Sequence, residues 1–225
     1  MHIEPGVVDG AKMAFAYATA AGALTYSAKL AWTEIRQTNV VSFAARVAMA
    51  AVGTFVFFEV LPHFPVGVSE VHFILATTLF LLLGAAPAAF GLALGLFVQG
   101  MFFAPTDLPM FFVNVTTLLM PLLAISALAG RLIPQDRAYV DLGYGDVLKM
   151  SALYQGGVVA WVAFWAFYGQ GLTAETFAAV GTFGAAYMLV VLLEPIADLA
   201  VLAAAKAARN LRGTGVFTQR LYNAA

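Results

Sequence analysis

Apolar residues in this chain fall in long unbroken runs rather than in alternation. Seven runs are read along it, at about 11–31, 41–61, 71–83, 88–103, 108–128, 147–168 and 177–205. Strands of a membrane barrel would alternate apolar and polar positions over about ten residues. Runs of about 20 apolar residues instead match a helix crossing a hydrocarbon core about 30 Å thick. The expected fold is an all-α integral membrane protein of seven transmembrane helices, forming one membrane domain over residues 1–225. Pro62 ends the second run, Gly84 to Pro87 predicts a tight turn between antiparallel helices, and Pro105 closes the fourth. The polar stretches are 1–10, 63–70, 130–146 and a short basic tail at 206–225.

Composition agrees. The chain is 62% apolar and 10% charged, with a mean hydropathy of +0.89, whereas soluble domains carry about 25% charged residues. Cysteine is absent, which excludes a disulfide framework and a thiolate metal site. Residues 1–10 lack the basic region, short apolar run and cleavage site of a signal peptide, so they are expected to belong to the mature protein. The basic residues orient the spans. Lys29, Arg36, Arg46, Arg131, Arg137, Lys149, Lys206, Arg209, Arg212 and Arg220 fall on one side of a seven-span chain, and only Lys12 on the other. The bias of Lys and Arg toward the cytoplasm places the N-terminus outside the cell membrane and the C-terminus inside. An even number of spans would destroy this separation.

The first residues carry the distinctive chemistry. In Met1-His2-Ile3-Glu4-Pro5-Gly6, the amine of Met1, the main-chain amide of His2 and the imidazole of His2 can bind one metal ion through two chelate rings that share the amide nitrogen. These donors tend to lie in one plane, and a fourth nitrogen from elsewhere completes a tetragonal site. Nitrogen donors in that geometry suit Co(II), Ni(II) or Cu(II) rather than the oxygen-preferring Mg and Ca. Methionine removal requires a small second residue, so Met1 is expected to stay. The other histidines, His63 and His72, bracket the loop between the second and third runs. On the predicted topology all three histidines meet the outer face.

At these residues the chain resembles the CbiM/NikM family, the substrate-binding membrane components of energy-coupling-factor cobalt and nickel transporters. Met1-His2-Ile3 followed by Gly6 is similar to the family's N-terminus. The Gly67, Ser69, His72 loop is similar to its second histidine motif, and Asn114 to its asparagine motif. The resemblance implies a metal site of Met1, His2 and His72; His63, Glu59, Ser69 and Asn114 are read as supporting groups or alternative ligands. It implies Co2+, and next Ni2+, as transported substrate rather than as catalytic cofactor. The implied partners are a transmembrane coupling component, a pair of ABC ATPases and a small accessory membrane protein, in the bacterial plasma membrane. Phe73, Ile74 and Leu75 follow His72 where the family has a Thr/Gly-rich stretch; here Thr77 and Thr78 come later.

Other features narrow the function. No Walker A motif is present, so ATP hydrolysis is expected in partner subunits. The HExxH pattern and the nucleophile elbow are absent, so no enzyme and no nucleic-acid partner are expected. A self-contained metal permease and a membrane metal sensor are the alternatives. Glu59 lies one turn before His63 and shares its face if the helix continues through Pro62. Glu194 and Asp198, four apart on the seventh run, are read as lying in its cytoplasmic half, far from the outer site. There they are expected to pair with Lys149 or Arg131 or to meet a partner subunit. Gly91 and Gly95 form a GxxxG pair that allows close helix approach.

Overall fold

The computed structural model describes residues 3–224. Among these the chain folds into α1 (Met13–Gln37), α2 (Val40–Phe55), β1 (Phe64–Val66), β2 (Ser69–Val71), α3 (Ala76–Leu83), α4 (Ala85–Phe102), α5 (Phe111–Leu132), α6 (Tyr144–Gln170), α7 (Ala174–Met188) and α8 (Val190–Ala207). Five helical stretches are long and apolar enough to cross a membrane: Val40–Val60, Ala85–Phe102, Pro105–Leu132, Tyr144–Gln170 and Ala174–Ala207. The chain is a helical multi-pass membrane protein. Helix α1 has 25 residues, about 37 Å at 1.5 Å per residue, but carries Lys29, Glu34 and Arg36.

Local chemistry explains the boundaries. Asn39 caps α2 by accepting from the Ser42 amide at 2.8 Å, and Thr173 caps α7 by accepting from the Thr176 amide at 3.2 Å, the expected roles of such residues at helix starts. The turn foreseen at 84–87 closes at Gly84 alone, with φ +93°. Pro87 sits in the first turn of α4, where a missing N–H costs nothing.

Two expected spans take a different form. The third, read as 71–83, is a helix of only eight residues, Ala76–Leu83. That is about 12 Å, too short to cross a bilayer. The reason lies upstream: Ser69–Val71 is paired as a strand with Phe64–Val66, and Leu75 adopts φ +50°, so the helix cannot begin before Ala76. The seventh, read as 177–205, is one apolar stretch, Ala174–Ala207, made of α7 and α8 with a tighter turn at Leu189, whose amide bonds Ala186 at 3.3 Å. Pro195 lies in the second of them. Its ring cannot donate to the carbonyl of Val191, and a proline bends its helix.

The small residues act as foreseen. A Cβ on Gly91 would stand 2.1 Å from Ala50 Cβ, and one on Gly95 2.6 Å from Thr54 Cβ. Helices α2 and α4 therefore meet nearly backbone to backbone. The buried residues of α1 are Ala16, Ala20, Ala23, Ser27 and Ala31, spaced at helical intervals along one face.

Contacts define two ends of the bundle. At one, Lys12 Nζ donates to the Gly169 carbonyl at 2.6 Å, and the β1–β2 hairpin packs on α7. Gly67 at the tip of that hairpin has φ +62°, and a Cβ there would meet the Ala179 carbonyl at 2.2 Å. At the other end, buried Arg46 bonds Glu34 and the Leu83 carbonyl, Thr218 N donates to Leu82 O at 2.8 Å, and Lys206 bonds Asp141 at 2.6 Å. Residues 206–224 thus lie at the end opposite Ile3.

Gly91→Val is expected to destabilise the fold by about 1–3 kcal/mol, the usual cost of overpacking. A lower thermal unfolding midpoint in detergent, with no change in Gly22→Ala, where a Cβ meets nothing within 4 Å, is the result to look for.

Candidate metal centre

The site is built around Ile3, which enters the bundle. Ile3 is fully buried. Its amide donates to Asn114 Oδ1 at 2.8 Å, it bridges Ser69 in antiparallel fashion, and Glu4 N donates to Val68 O at 3.4 Å. Residues 3 and 4 therefore act as a third strand beside β2. Met1 and His2, the expected chelating pair, lie outside the described residues. The strap that follows lies flush on α6: a Cβ on Gly169 would stand 1.7 Å from the Val7 carbonyl.

Strand β2 leads directly to His72, which is 1% exposed. Its ring stacks on Phe58 at 4.9 Å and on His63 at 4.7 Å between centroids. Glu70 Oε2 lies 2.9 Å from its Nε2. The structure thus brings His63 and His72 together, His63 toward solvent and His72 toward the interior. Asn114 and Ser69, both buried, meet at Ile3.

Glu59 is placed differently from expectation. The helix does not continue through Pro62. After Phe55 it widens to a π-helical turn, Val56–Val60, closed by Leu61 N to Val56 O at 3.1 Å. Leu61 is extended, with ψ 150°, as the residue before a proline tends to be. Glu59 and His63 consequently share no helix face. They share a cleft instead, of about 610 Å³, lined by Glu4, Glu59, His63, Glu70, Gln99 and Asp107 among others. Gln99 Nε2 donates to Glu59 Oε2 at 3.2 Å. Desolvation first, and then the carboxylates of Glu70 and Asp107, hold the Glu4 carboxyl above its ordinary pKa. The mouth is thus negative, and a negative cleft raises the local cation concentration.

Glu194 and Asp198 are also corrected. They are buried and meet neither Lys149 nor Arg131. Glu194 Oε1 accepts from Ile74 N at 2.8 Å and Leu75 N at 3.0 Å, two and three residues beyond His72, and its other oxygen accepts from Gln155. Asp198 accepts from Thr78. They lie beside residues 74–78, a contact that counting residues along the run 177–205 does not show.

Three functional neighbours were missed. Glu70 was legible: in a strand, residues two apart share a face, which puts Glu70 beside His72. Gln99 had a signal as a lone amide in an apolar run. The tie from Glu194 to residues 74 and 75 had none, because it joins positions about 120 apart through the fold. Among the described residues no three His, Asp or Glu side chains converge as a metal site, so a site here needs donors beyond them.

This is the fold and chemistry of a membrane component for metal uptake. The profile of the cobalt uptake substrate-specific transmembrane region, CbiM, matches residues 2–211, and the chain belongs to that family. A solved transition metal transporter aligns with TM-score 0.69 and 17% identity over 93% of this chain and 94% of its own. A truncated transition metal transporter aligns with TM-score 0.68 and 17% identity over 92% and 99%. At that identity the likeness is one of fold. No curated protein matches the chain.

Asn114→Leu is expected to strip the Ile3 amide of its acceptor, at a cost of about 1–3 kcal/mol for the buried donor. Hydrogen exchange at the Ile3 amide should quicken by at least about tenfold, while Asn114→Asp, which keeps an acceptor oxygen, should leave it slow.

Proposed function

We propose that this chain is the substrate-capture subunit of an energy-coupling-factor importer, taking up Co2+, and next Ni2+, at the outer face of the plasma membrane. The observation that carries the reading is the buried Ile3, bonded to Asn114 and bridged to Ser69. Met1 and His2 directly precede this anchored residue in the sequence. The ligands are then the Met1 amine, the His2 amide and imidazole, and the His72 imidazole. Glu70 orients His72, as carboxylates commonly orient ligating histidines, and His63 stacks on it from the mouth. The acidic cleft of Glu59, Glu70 and Asp107 draws cations inward.

The remaining parts follow from the family and the chain's chemistry. A topology with the N-terminus outside puts the chelate where the ion arrives. The chain carries no phosphate-binding loop, so energy comes from a transmembrane coupling subunit with paired ABC ATPases, together with a small accessory membrane protein. A self-contained permease would transport without them.

The test compares Co(II), Ni(II), Cu(II) and Zn(II) binding by the native protein and by one extended by a single residue before Met1. Tight Co or Ni binding that the extension and His2→Ala each weaken by at least about a hundredfold is expected, since both remove donors from the metal. Full affinity in the extended protein would overturn the chelate. Affinity should fall as the pH is lowered, because amine, amide and imidazole must all surrender protons to the metal. Uptake in cells lacking the ATPases would favour the permease.

A further inference from the structure

We propose that Glu194 is the latch that holds His72 in register for the metal, and that α8 releases the ion by withdrawing it. The proposal rests on the metal-capture reading above and adds a positioning residue and a release step to it. The segment from His72 to Leu75 is neither strand nor helix, yet it is largely buried. Its backbone amides need partners from elsewhere in the fold. One carboxylate oxygen supplies two of them: Glu194 Oε1 takes Ile74 N at 2.8 Å and Leu75 N at 3.0 Å. Leu75, with φ +50°, is the one non-glycine residue with positive φ among the described residues. A leucine holds that conformation only where the surroundings impose it. The Glu194 carboxylate imposes it, and so sets the direction in which the chain leaves His72.

The latch sits on α8, whose helical ladder is interrupted at two places. Helix α8 is set off from α7 by the turn at Leu189, and Pro195 follows Glu194 directly, removing one rung of the helical ladder. The far end of α8 is tied to the opposite end of the bundle, through Lys206 to Asp141 at 2.6 Å and through the Tyr222 hydroxyl to the Ala205 carbonyl at 2.8 Å. A shift of α8 at that end therefore draws Glu194 off Ile74 and Leu75, and His72 follows them away from the metal. Gln155, fully buried, holds the second carboxylate oxygen from α6, while its own Oε1 has no partner among the described residues.

That detail separates hydrogen bonding from charge. In Glu194→Gln the remaining Oε1 still accepts from both amides. The new NH2 finds an acceptor if Gln155 turns its amide round. Glu194→Ala removes every acceptor. Glu194→Asp keeps a carboxylate but withdraws it by one methylene.

The experiment titrates the purified full-length chain with Co2+, following affinity and the visible Co2+ spectrum in wild type, His72→Ala, Glu194→Ala, Glu194→Asp and Glu194→Gln. Glu194→Ala is expected to raise Kd at least about tenfold and to shift the spectrum toward that of His72→Ala. Glu194→Gln should stay within about threefold of wild type. If Glu194→Ala does not insert, Glu194→Asp carries the test, with the same loss expected. Wild-type affinity in Glu194→Ala or Glu194→Asp would overturn the latch. Equal losses in Glu194→Gln and Glu194→Ala would also overturn it, since charge rather than the two hydrogen bonds would then be responsible. Failure of the wild type to bind Co2+ at all would instead sink the metal-capture reading.

Discussion

Everything near the candidate centre depends on one buried N–H, that of Ile3. A chain start is ordinarily solvated and frayed. Here its third residue is fully buried and donates inside the bundle to Asn114, while its backbone bridges Ser69. Each of these demands something of another element. Helix α5 must present an acceptor where its neighbours Val113 and Val115 are apolar. The loop after β1 must turn within two residues, which Gly67 does in the left-handed region, pressed against the Ala179 carbonyl. Helix α6 must yield space for Val7, which Gly169 provides. Ile3 is thus a structural anchor first.

A membrane bundle tolerates irregular backbone only where protein satisfies it. Residues 61–75 meet this condition by three means. The β1–β2 pairing satisfies one stretch, Ile3 and Glu4 pair with another, and Glu194 accepts from the amides of Ile74 and Leu75. The short α3 is a consequence of this arrangement, because residues 69–75 are taken up by the strand and the loop. The buried carboxylate of Glu194 is in turn satisfied by the loop it satisfies. Neither is stable in an apolar interior without the other.

The helices were legible because an apolar run of membrane length can satisfy its own backbone in lipid only by coiling into a helix. Pro62, Gly84 and Pro105 marked where they stop. Gly91 and Gly95 were legible as a close contact, though not that Ala50 and Thr54 fill it. Part of the centre was legible too: Ser69, His72 and Asn114 sit in one place in the structure. What escaped were features set by tertiary contact. The strand pairing that shortens α3 requires knowing that Ile3 comes to lie beside Ser69. The contacts of Glu194 leave no mark in a hydropathy pattern, and they put it at Ile74 and Leu75, beside the His72 loop. The π-helical turn before Leu61 separated Glu59 from His63 along the helix, while the fold reunited them across a cleft.

The chemistry explains why so little of a metal site is visible in side chains alone. A cluster of Asp and Glu would favour Ca2+, Mg2+ or Mn2+, which are abundant and oxygen-seeking. Among the described residues Glu4, Glu59, Glu70 and Asp107 gather at the mouth and His72 lies behind them, with no three His, Asp or Glu side chains converging on one point. On the proposed reading, selectivity then comes from nitrogen atoms of the main chain, which must lose protons before they bind and reward the later transition metals for displacing them. Of these, the Met1 amine is a donor only while it stays free. The Ile3 anchor, the Glu70 contact to His72 and the Glu194 latch are three separate ways of holding the donors still, and each can be removed without deleting a ligand. That separation makes the geometry of the centre, and not merely its composition, open to experiment.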